Sequence, residues 1–354
     1  MILTETRRDR FYPLTEIATI PEAALQRLAG IGITTVNELR DFWVFGDKSS
    51  LVSYLGESPL RWFAQAAPLQ KRNERGSERS AVLLPSDPLQ APPNLRPIRH
   101  PRGLLGAHKT TQITPQPQTA TPPRDPEHVT NLASFFPAPR DQGERGTCVA
   151  FATTALMEYH SYRNTNIQRH SEQFLYWACK QLDGIPNMEG TYIESAGKAL
   201  AQRGACLNTT WRYEPTKISG NESHHPPPSG AETEAAQYTR QGHQAIAPND
   251  IAGLCAKLDQ AQPIVLGVQT FPSWDYPNVQ DTGEIPLPLP GVQHAGGHAV
   301  CLVGYERRAG IPGNGSFIFR NSWSGLWASG SRYGAGYGTL FFDYVRLYGM
   351  EALF

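Results

Sequence analysis

The sequence predicts an α+β protein in which a small all-α region precedes a larger domain of two lobes. Apolar residues recur with helical spacing near the N-terminus and again from residue 148, whereas the last third of the chain has short apolar runs typical of strands. Between these parts prolines accumulate, with 13 of the 30 between Pro85 and Pro139. We therefore divide the chain into residues 1–65, a linker at 66–128 and a domain at 129–354.

The N-terminal region is predicted to contain two helices separated by a glycine turn. Leu25, Leu28 and Ala29 form one helical stripe, Gly30–Gly32 turns the chain, and Thr34 or Thr35 caps a second helix. The pattern resembles a helix-hairpin-helix unit, some of which bind nucleic-acid phosphates. Acidic residues dilute any basic face here, so we expect a structural or protein-binding role; these residues are Glu22, Glu38 and Asp41.

The linker at 66–128 is polar, proline-rich and locally basic, and we interpret it as an extended connector. Its basic residues are Lys71, Arg72, Arg75, Arg79, Arg96, Arg99, Arg102 and Lys109. It could lie across the following domain.

The domain at 129–354 divides into a helical lobe at about 145–215 and an antiparallel β lobe at about 216–354. Helices are expected to begin at Cys148, at Ser171 and near Tyr192. In the first helix the core-facing stripe would be Phe151, Ala152, Ala155, Leu156 and Tyr159. Strands are expected near Pro263–Thr270, His298–Glu306, Ser316–Arg320 and Tyr337–Tyr344. A cleft between the lobes would suit an extended peptide.

Cys148 follows a glycine-punctuated turn and begins an apolar helix. Unpaired backbone N–H groups and the helix dipole favour a thiolate at such a position, so this cysteine is a candidate nucleophile. An isolated cysteine is more often a small buried hydrophobe, and a catalytic role therefore requires partners elsewhere in the chain.

His298 and Asn321 are the candidate partners. His298 begins an apolar, β-branched strand, and Asn321 ends the next strand after a glycine-rich loop. In a hairpin of these two strands the residues near the open end lie side by side. His294, four residues earlier, lacks the strand context and is treated as a bystander.

These segments resemble the papain family of cysteine peptidases, in which a Gln, a Cys, a His and an Asn occur in this order. The matching residues here are Gln142, Cys148, His298 and Asn321, supported by Ser171-Glu172-Gln173, Gly190, Asn321-Ser322-Trp323 and Gly336-Tyr337-Gly338-Thr339-Leu340. The resemblance covers about residues 129–354. The chain is identified as a divergent, bacterial-type member with a helix-hairpin-helix-like extension.

The resemblance implies an endopeptidase with a protein or peptide substrate. It also implies that residues 66–128 could act as an inhibitory prosegment, since in this family a segment before the catalytic domain often blocks the cleft. Cys148 would attack as a thiolate whose pKa is strongly lowered, His298 would be the imidazolium and Asn321 would orient it. Gln142 would belong to the oxyanion hole, while Gly190 and Trp323 would contact substrate. The same thioester chemistry also permits an acyl or amide transferase. A catalytically silent binding module is the third alternative.

Three positions depart from the family pattern. Arg145 replaces a cysteine that many members use in a disulfide, Val149 replaces an aromatic residue, and Ser324 replaces a glycine. We expect Arg145 to be exposed, although it could add positive potential beside Cys148. The resemblance also makes a Cys179–Cys206 disulfide conceivable, but five sparse cysteines favour reduced thiols.

Charge and composition limit the other kinds of partner that we expect for this protein. Lys plus Arg and Asp plus Glu are 32 each, so no global charge points to nucleic acid or to an anionic membrane. Neither a signal peptide nor a membrane span is recognised, which predicts cytoplasmic synthesis and leaves signal-independent export open. No cofactor or metal is expected, because the paired histidines His224 and His225 have no cysteine or carboxylate cluster beside them.

Overall fold

The computed structural model describes residues 12–73, 97–106, 126–163, 168–241 and 243–354. Much of the predicted linker lies outside these ranges, including the basic residues Arg75, Arg79, Arg96 and Lys109. Within the linker, residues 97–106 are described, and we call them the cleft segment because they lie between the two lobes of the following domain.

Four helices form the N-terminal region, as the all-α prediction requires: α1 (Glu22–Gly30), α2 (Val36–Phe45), α3 (Lys48–Leu55) and α4 (Leu60–Asn73). A capping box begins α2, since Thr35 Oγ1 accepts from the Glu38 N–H and the Glu38 carboxylate accepts from the Thr35 N–H at 2.9 Å. α4 continues past residue 65, where we had expected the linker to begin.

The N-terminal helices pack on the β lobe. Asp41 Oδ2 accepts from the backbone N–H of Asn278 at 2.7 Å, and the Ile31 carbonyl accepts from the Leu287 N–H at 3.0 Å. Buried apolar side chains of both parts form one continuous cluster that runs from Leu28 to Val345. This region is therefore part of the same packed body as the β lobe.

The helical lobe contains α5 (Cys148–Arg163), α6 (Glu172–Lys180), α7 (Ile193–Gln202) and α8 (Ala231–Ala235). It continues past residue 215, where we had expected the β lobe to begin, because Ala231 and Ala235 of α8 pack in the same core cluster as α5, α6 and α7. α6 is capped by the Ser171 hydroxyl, as its position in the sequence predicted. The predicted core-facing residues of α5 are all buried, and so is every other residue from Cys148 to Tyr159. α5 is a central helix that packs against both α6 and the sheet.

The β lobe is built on a seven-stranded sheet with the order β3-β6-β5-β4-β2-β7, and β1 also pairs with β4. The strands are β1 (His128–Asn131), β2 (Ile264–Thr270), β3 (Glu284–Ile285), β4 (Gly296–Arg307), β5 (Gly315–Arg320), β6 (Tyr337–Phe341) and β7 (Gly349–Leu353). The fully antiparallel expectation needs one correction, since the two-residue β3 pairs parallel with β6. Three helices complete the lobe: α9 (Ile251–Asp259), α10 (Pro277–Thr282) and α11 (Phe342–Tyr348).

Arg145 is buried, contrary to the expectation of an exposed side chain, with 1% of its surface accessible. Its guanidinium donates to Gln173 Oε1 at 2.7 Å and to the backbone carbonyls of Glu214 and Glu222 at 2.9 and 2.8 Å. It also lies 5.2 Å from the ring centre of Tyr176. This arginine therefore cross-links the helical lobe.

All five cysteines are free and buried, including Cys179 and Cys206. In the ranges that the structure describes, no helix has the length and apolar character needed to cross a membrane.

Candidate active site

Cys148 is fully buried at the start of α5, against the first residues of β4. The backbone N–H of Ala299, the residue after His298, donates to Cys148 Sγ at 3.4 Å. This contact joins the helical lobe to the β lobe at the candidate nucleophile.

His298 and Asn321 meet at the open end of the β4–β5 pair, as the hairpin prediction required. Cys301 on β4 pairs with Arg320 on β5, and His298 and Asn321 lie just beyond this pair, where the two strands open. His298 Nε2 lies 2.8 Å from Asn321 Oδ1, which identifies Nε2–H as the donor. His298 Nδ1 is buried and has no hydrogen-bond partner among the described residues. With Nε2–H bound to Asn321, the neutral ring has its unprotonated nitrogen at Nδ1.

Gln142 is completely buried, and its amide is held in one orientation. Its Oε1 accepts from the Ser322 hydroxyl at 2.6 Å, while Nε2 donates to the Arg145 carbonyl at 2.7 Å and to the Pro101 carbonyl at 3.2 Å. Ser322 follows Asn321, so the same turn positions the imidazole partner and the glutamine.

The cleft segment crosses the site, and its backbone contacts the polar groups of Gln142 and Cys148. The Gly103 N–H faces Cys148 Sγ, and the Pro101 carbonyl takes one donor of Gln142. Leu104 and Leu105 donate backbone N–H groups to the Gly297 and Thr191 carbonyls at 3.1 and 2.9 Å. Ten residues of the linker thus cover the candidate catalytic groups.

Burial beneath this segment opposes ionisation of both candidate catalytic groups. Desolvation raises the pKa of the Cys148 thiol, although backbone N–H groups of Ala299 and Gly103 partly offset it. Desolvation also lowers the pKa of His298 to about 3, whereas the hydrogen bond that its Nε2–H donates to Asn321 raises this pKa and the nearby Arg102 lowers it further. The low thiol pKa expected from the sequence is therefore absent while the cleft segment is in place. A neutral thiol and a neutral imidazole are the stable forms of this covered site.

Gly190 lies beside the cleft segment, but its own backbone polar groups bind elsewhere in the protein. Its N–H donates to the Tyr176 hydroxyl at 3.0 Å and its carbonyl accepts from Lys180 Nζ at 2.9 Å. Thr191 makes the strand-like contact instead, since its N–H donates to the Gly103 carbonyl at 2.8 Å. Gly190 has φ +91°, and a Cβ there would lie 2.6 Å from the Gly103 carbonyl oxygen, so it provides room for an extended chain. The sequence pattern identified this side of the cleft, but it did not identify Thr191 as the residue that pairs with the cleft segment.

Trp323 stacks on the His298 ring with 4.6 Å between centroids, and Trp274 meets both rings edge-on at 5.7 and 5.9 Å. The two indoles shield the His298–Asn321 hydrogen bond from water. His100 of the cleft segment stacks on the other face of Trp323 at 4.2 Å. We did not predict Trp274, and no local motif marks it.

The other histidines that we considered do not join the site. His294 is exposed, and the loop with His224 and His225 lies in the helical part of the chain. Across the described ranges no group of three or more His, Cys, Asp or Glu residues is arranged to hold a metal ion.

The sequence profile described as papain family cysteine protease matches residues 128–338, which is more than half of the chain. The chain belongs to this family. An uncharacterized peptidase C1-like protein of Acanthamoeba polyphaga mimivirus is 29% identical over 197 residues, which are 53% of this chain and 60% of that protein. This chain therefore spans less than two thirds of the mimivirus protein.

Among solved structures, xylellain, a cysteine protease from Xylella fastidiosa, superposes with a TM-score of 0.56 at 23% identity. The match covers 72% of this chain and 98% of xylellain. At this identity the likeness establishes the papain-like fold.

Proposed function

We propose that the protein is a cysteine endopeptidase that uses Cys148, His298, Asn321 and Gln142. The observation that carries the proposal is the unpaired Nδ1 of His298, on a ring held by Asn321 beside the residue that contacts Cys148 Sγ. A solvent-shielded base with one free nitrogen next to a thiol is the arrangement that nucleophilic catalysis needs. Membership of the family supports the same chemistry.

The catalytic cycle follows from these positions. His298 Nδ1 takes the Cys148 proton, and the thiolate adds to the peptide carbonyl carbon. The oxyanion forms between Gln142 Nε2 and the N-terminal end of α5. His298 then protonates the leaving amine, and a water molecule, deprotonated by the same imidazole, hydrolyses the thioester. Asn321 keeps Nε2–H bound through each step, so that Nδ1 is the nitrogen that exchanges protons.

Labelling of the full chain with an irreversible thiol-directed epoxide tests the mechanism. We expect the adduct on Cys148 and its loss in His298→Ala, whereas Cys255→Ala, which changes another buried cysteine, should label like the wild type. Labelling that spares Cys148 both in the wild type and in Gly103→Ala, which should displace the cleft segment, or that proceeds equally without His298, would contradict the mechanism.

Two other functions use the same fold. In an acyl or amide transferase the thioester would pass to an amine, so added amines would yield amide products in place of acids. A silent binding module would neither label at Cys148 nor turn over peptides. We favour the hydrolase because the family profile is that of a cysteine protease, and we favour an enzyme over a silent module because Gln142, Cys148, His298 and Asn321 are all present.

We also propose that the cleft segment keeps the full chain latent, which develops the prosegment alternative for residues 66–128. It hydrogen-bonds to Gln142 through Pro101, faces Cys148 through Gly103 and pairs with Thr191. A substrate needs the same groups, so the two compete for one cleft. The N-terminal helices would serve as a docked support for this segment, and a protein-binding role for them stays a prediction.

A further inference from the structure

A charged pair in the cleft segment links it to the β lobe beside the candidate catalytic groups. Arg102 Nη2 lies 2.7 Å from Asp275 Oδ1, and only 9% and 8% of the two side chains are exposed. The backbone N–H of His100 also faces the Asp275 carboxylate. The Asp275 carbonyl also accepts from the Ile98 N–H at 3.2 Å. Asp275 thus meets three groups of the cleft segment: the Arg102 guanidinium and the backbone N–H groups of His100 and Ile98.

Asp275 ends a short 3-10 turn, Pro272–Asp275, directly after Trp274. Burial raises the pKa of its carboxyl, and Arg102 is the largest of the influences that lower it. The nearby carboxylate Asp41 is paired with its own neighbour Arg40 at 3.0 Å. Arg102 of the cleft segment is therefore the cation that pairs with Asp275 among the hydrogen bonds and ion pairs of the described residues.

The aromatic residues around His298 show in which half of the cleft the Asp275 carboxylate lies. Trp274 and Trp323 contact the imidazole that must protonate the leaving amine, and Arg102 lies 6.0 Å from the Trp323 ring centre. The strand-like pairing of the segment with Thr191 and Gly297 lies on the other side of Gly103. Asp275 therefore belongs to the half of the cleft that receives the leaving-group side of a peptide.

We propose that Asp275 is a specificity-determining residue that binds a lysine or arginine on the leaving-group side of the scissile bond. The inference rests on the proposed peptidase function. A substrate that displaces the cleft segment removes Arg102 and leaves the Asp275 carboxylate without its cation. A basic substrate side chain restores that pair, whereas a neutral one leaves a desolvated charge and an acidic one adds repulsion.

A set of peptides that differ only at the residue after the scissile bond tests this assignment in the full chain. The ratio of kcat/KM values between two peptides is independent of how often the cleft segment blocks the site, because both peptides compete with the same segment. If the wild-type rates are slow, Arg102→Ala raises them for all peptides. Cleavage positions are read by mass spectrometry.

We expect arginine and lysine to be preferred over glutamate by about 10- to 100-fold, the range of a hydrogen bond to a charged group. Citrulline, which keeps the shape of arginine without its charge, should lose most of the preference. Asp275→Asn should also lose it, Asp275→Glu should retain it, and the control Asp343→Asn, at a partly exposed carboxylate of the same lobe, should behave like the wild type. The comparison of arginine and citrulline peptides needs no variant, so it tests the preference for a positive charge even if Asp275→Asn fails to fold.

Three results would overturn the assignment. Cleavage without a basic preference, or equal cleavage of arginine and citrulline peptides, would remove Asp275 from specificity and leave the peptidase function intact. A basic preference that persists in folded Asp275→Asn would place the acceptor elsewhere. No cleavage of any peptide by the wild type or by Arg102→Ala would overturn the proposed function itself.

Discussion

Substitution of Gly103 by alanine is the most direct perturbation of the covered site. A Cβ at this position would lie 1.7 Å from the carbonyl oxygen of Gly146 and 2.1 Å from its carbonyl carbon. Both are backbone atoms, so no side-chain rotation relieves the overlap. Gly146 is itself held, because its N–H donates to Glu189 Oε1 at 2.7 Å.

The expected consequence is displacement of the cleft segment from the site. Gly103 does not have a left-handed backbone, so alanine strains only the docked state and not the free segment. Overpacking of this kind costs about 1–3 kcal/mol, which corresponds to a rise of about 5- to 100-fold in the fraction of open sites. The same factor should appear in kcat/KM and in the rate of Cys148 labelling.

The assay compares the full-length wild type, Gly103→Ala and the control Arg99→Ala, which changes an exposed side chain of the same segment. The rate of Cys148 labelling by a thiol-directed epoxide is measured together with hydrolysis of one peptide. We expect acceleration in Gly103→Ala alone. Unchanged or slower labelling in a Gly103→Ala protein with the wild-type melting temperature would refute the inhibitory role of the cleft segment.

Three further predictions concern single residues. Gln142→Ala should lower kcat by about 100-fold or more, because it removes an oxyanion donor, and steady-state kinetics on one peptide would detect this; a loss under about threefold would contradict the assignment. Arg145→Met should destabilise the protein by about 1–3 kcal/mol, because it leaves the buried Gln173 Oε1 and two part-buried backbone carbonyls without their donor; thermal unfolding checks this, and an unchanged melting temperature would contradict it. Burial and the neighbouring Glu284 raise the pKa of Glu38 to about 7, so its contribution is greatest below about pH 4.5 and is lost as the pH rises through 7. Glu38→Gln should therefore raise the melting temperature relative to the wild type more at pH 8 than at pH 5, and an equal difference at both would disprove the pKa shift.

Local patterns were sufficient to predict the main elements of the domain. Helices begin at or beside Cys148, Ser171 and Tyr192, and the four long strands lie where apolar runs predicted them. These features depend on residues that are near in sequence, such as the Ser171 cap. The predicted strand at Tyr337–Tyr344 was too long, since Phe342 begins α11, because an apolar run does not by itself distinguish a strand end from a buried helix.

Exposure and pairing partners were predicted less well. Arg145 looked like an exposed arginine, but its acceptors lie in the distant loop at 214–222, which no local pattern links to it. The strand-like pairing with the cleft segment is made by Thr191 and not by the neighbouring Gly190, whose contact with substrate stays a prediction. Both differences arise from the path of the backbone, which sequence periodicity does not encode.

The sequence by itself determined the family, the α+β class and the four residues Gln142, Cys148, His298 and Asn321 as candidates. Their order and local context reflect chemistry that needs particular side chains at helix and strand ends. Only the tertiary structure decided the state of Cys148 and what surrounds it. Desolvation and the pairing of Arg102 with Asp275 depend on segments that are far apart in sequence and packed together, so they become visible only in the folded chain.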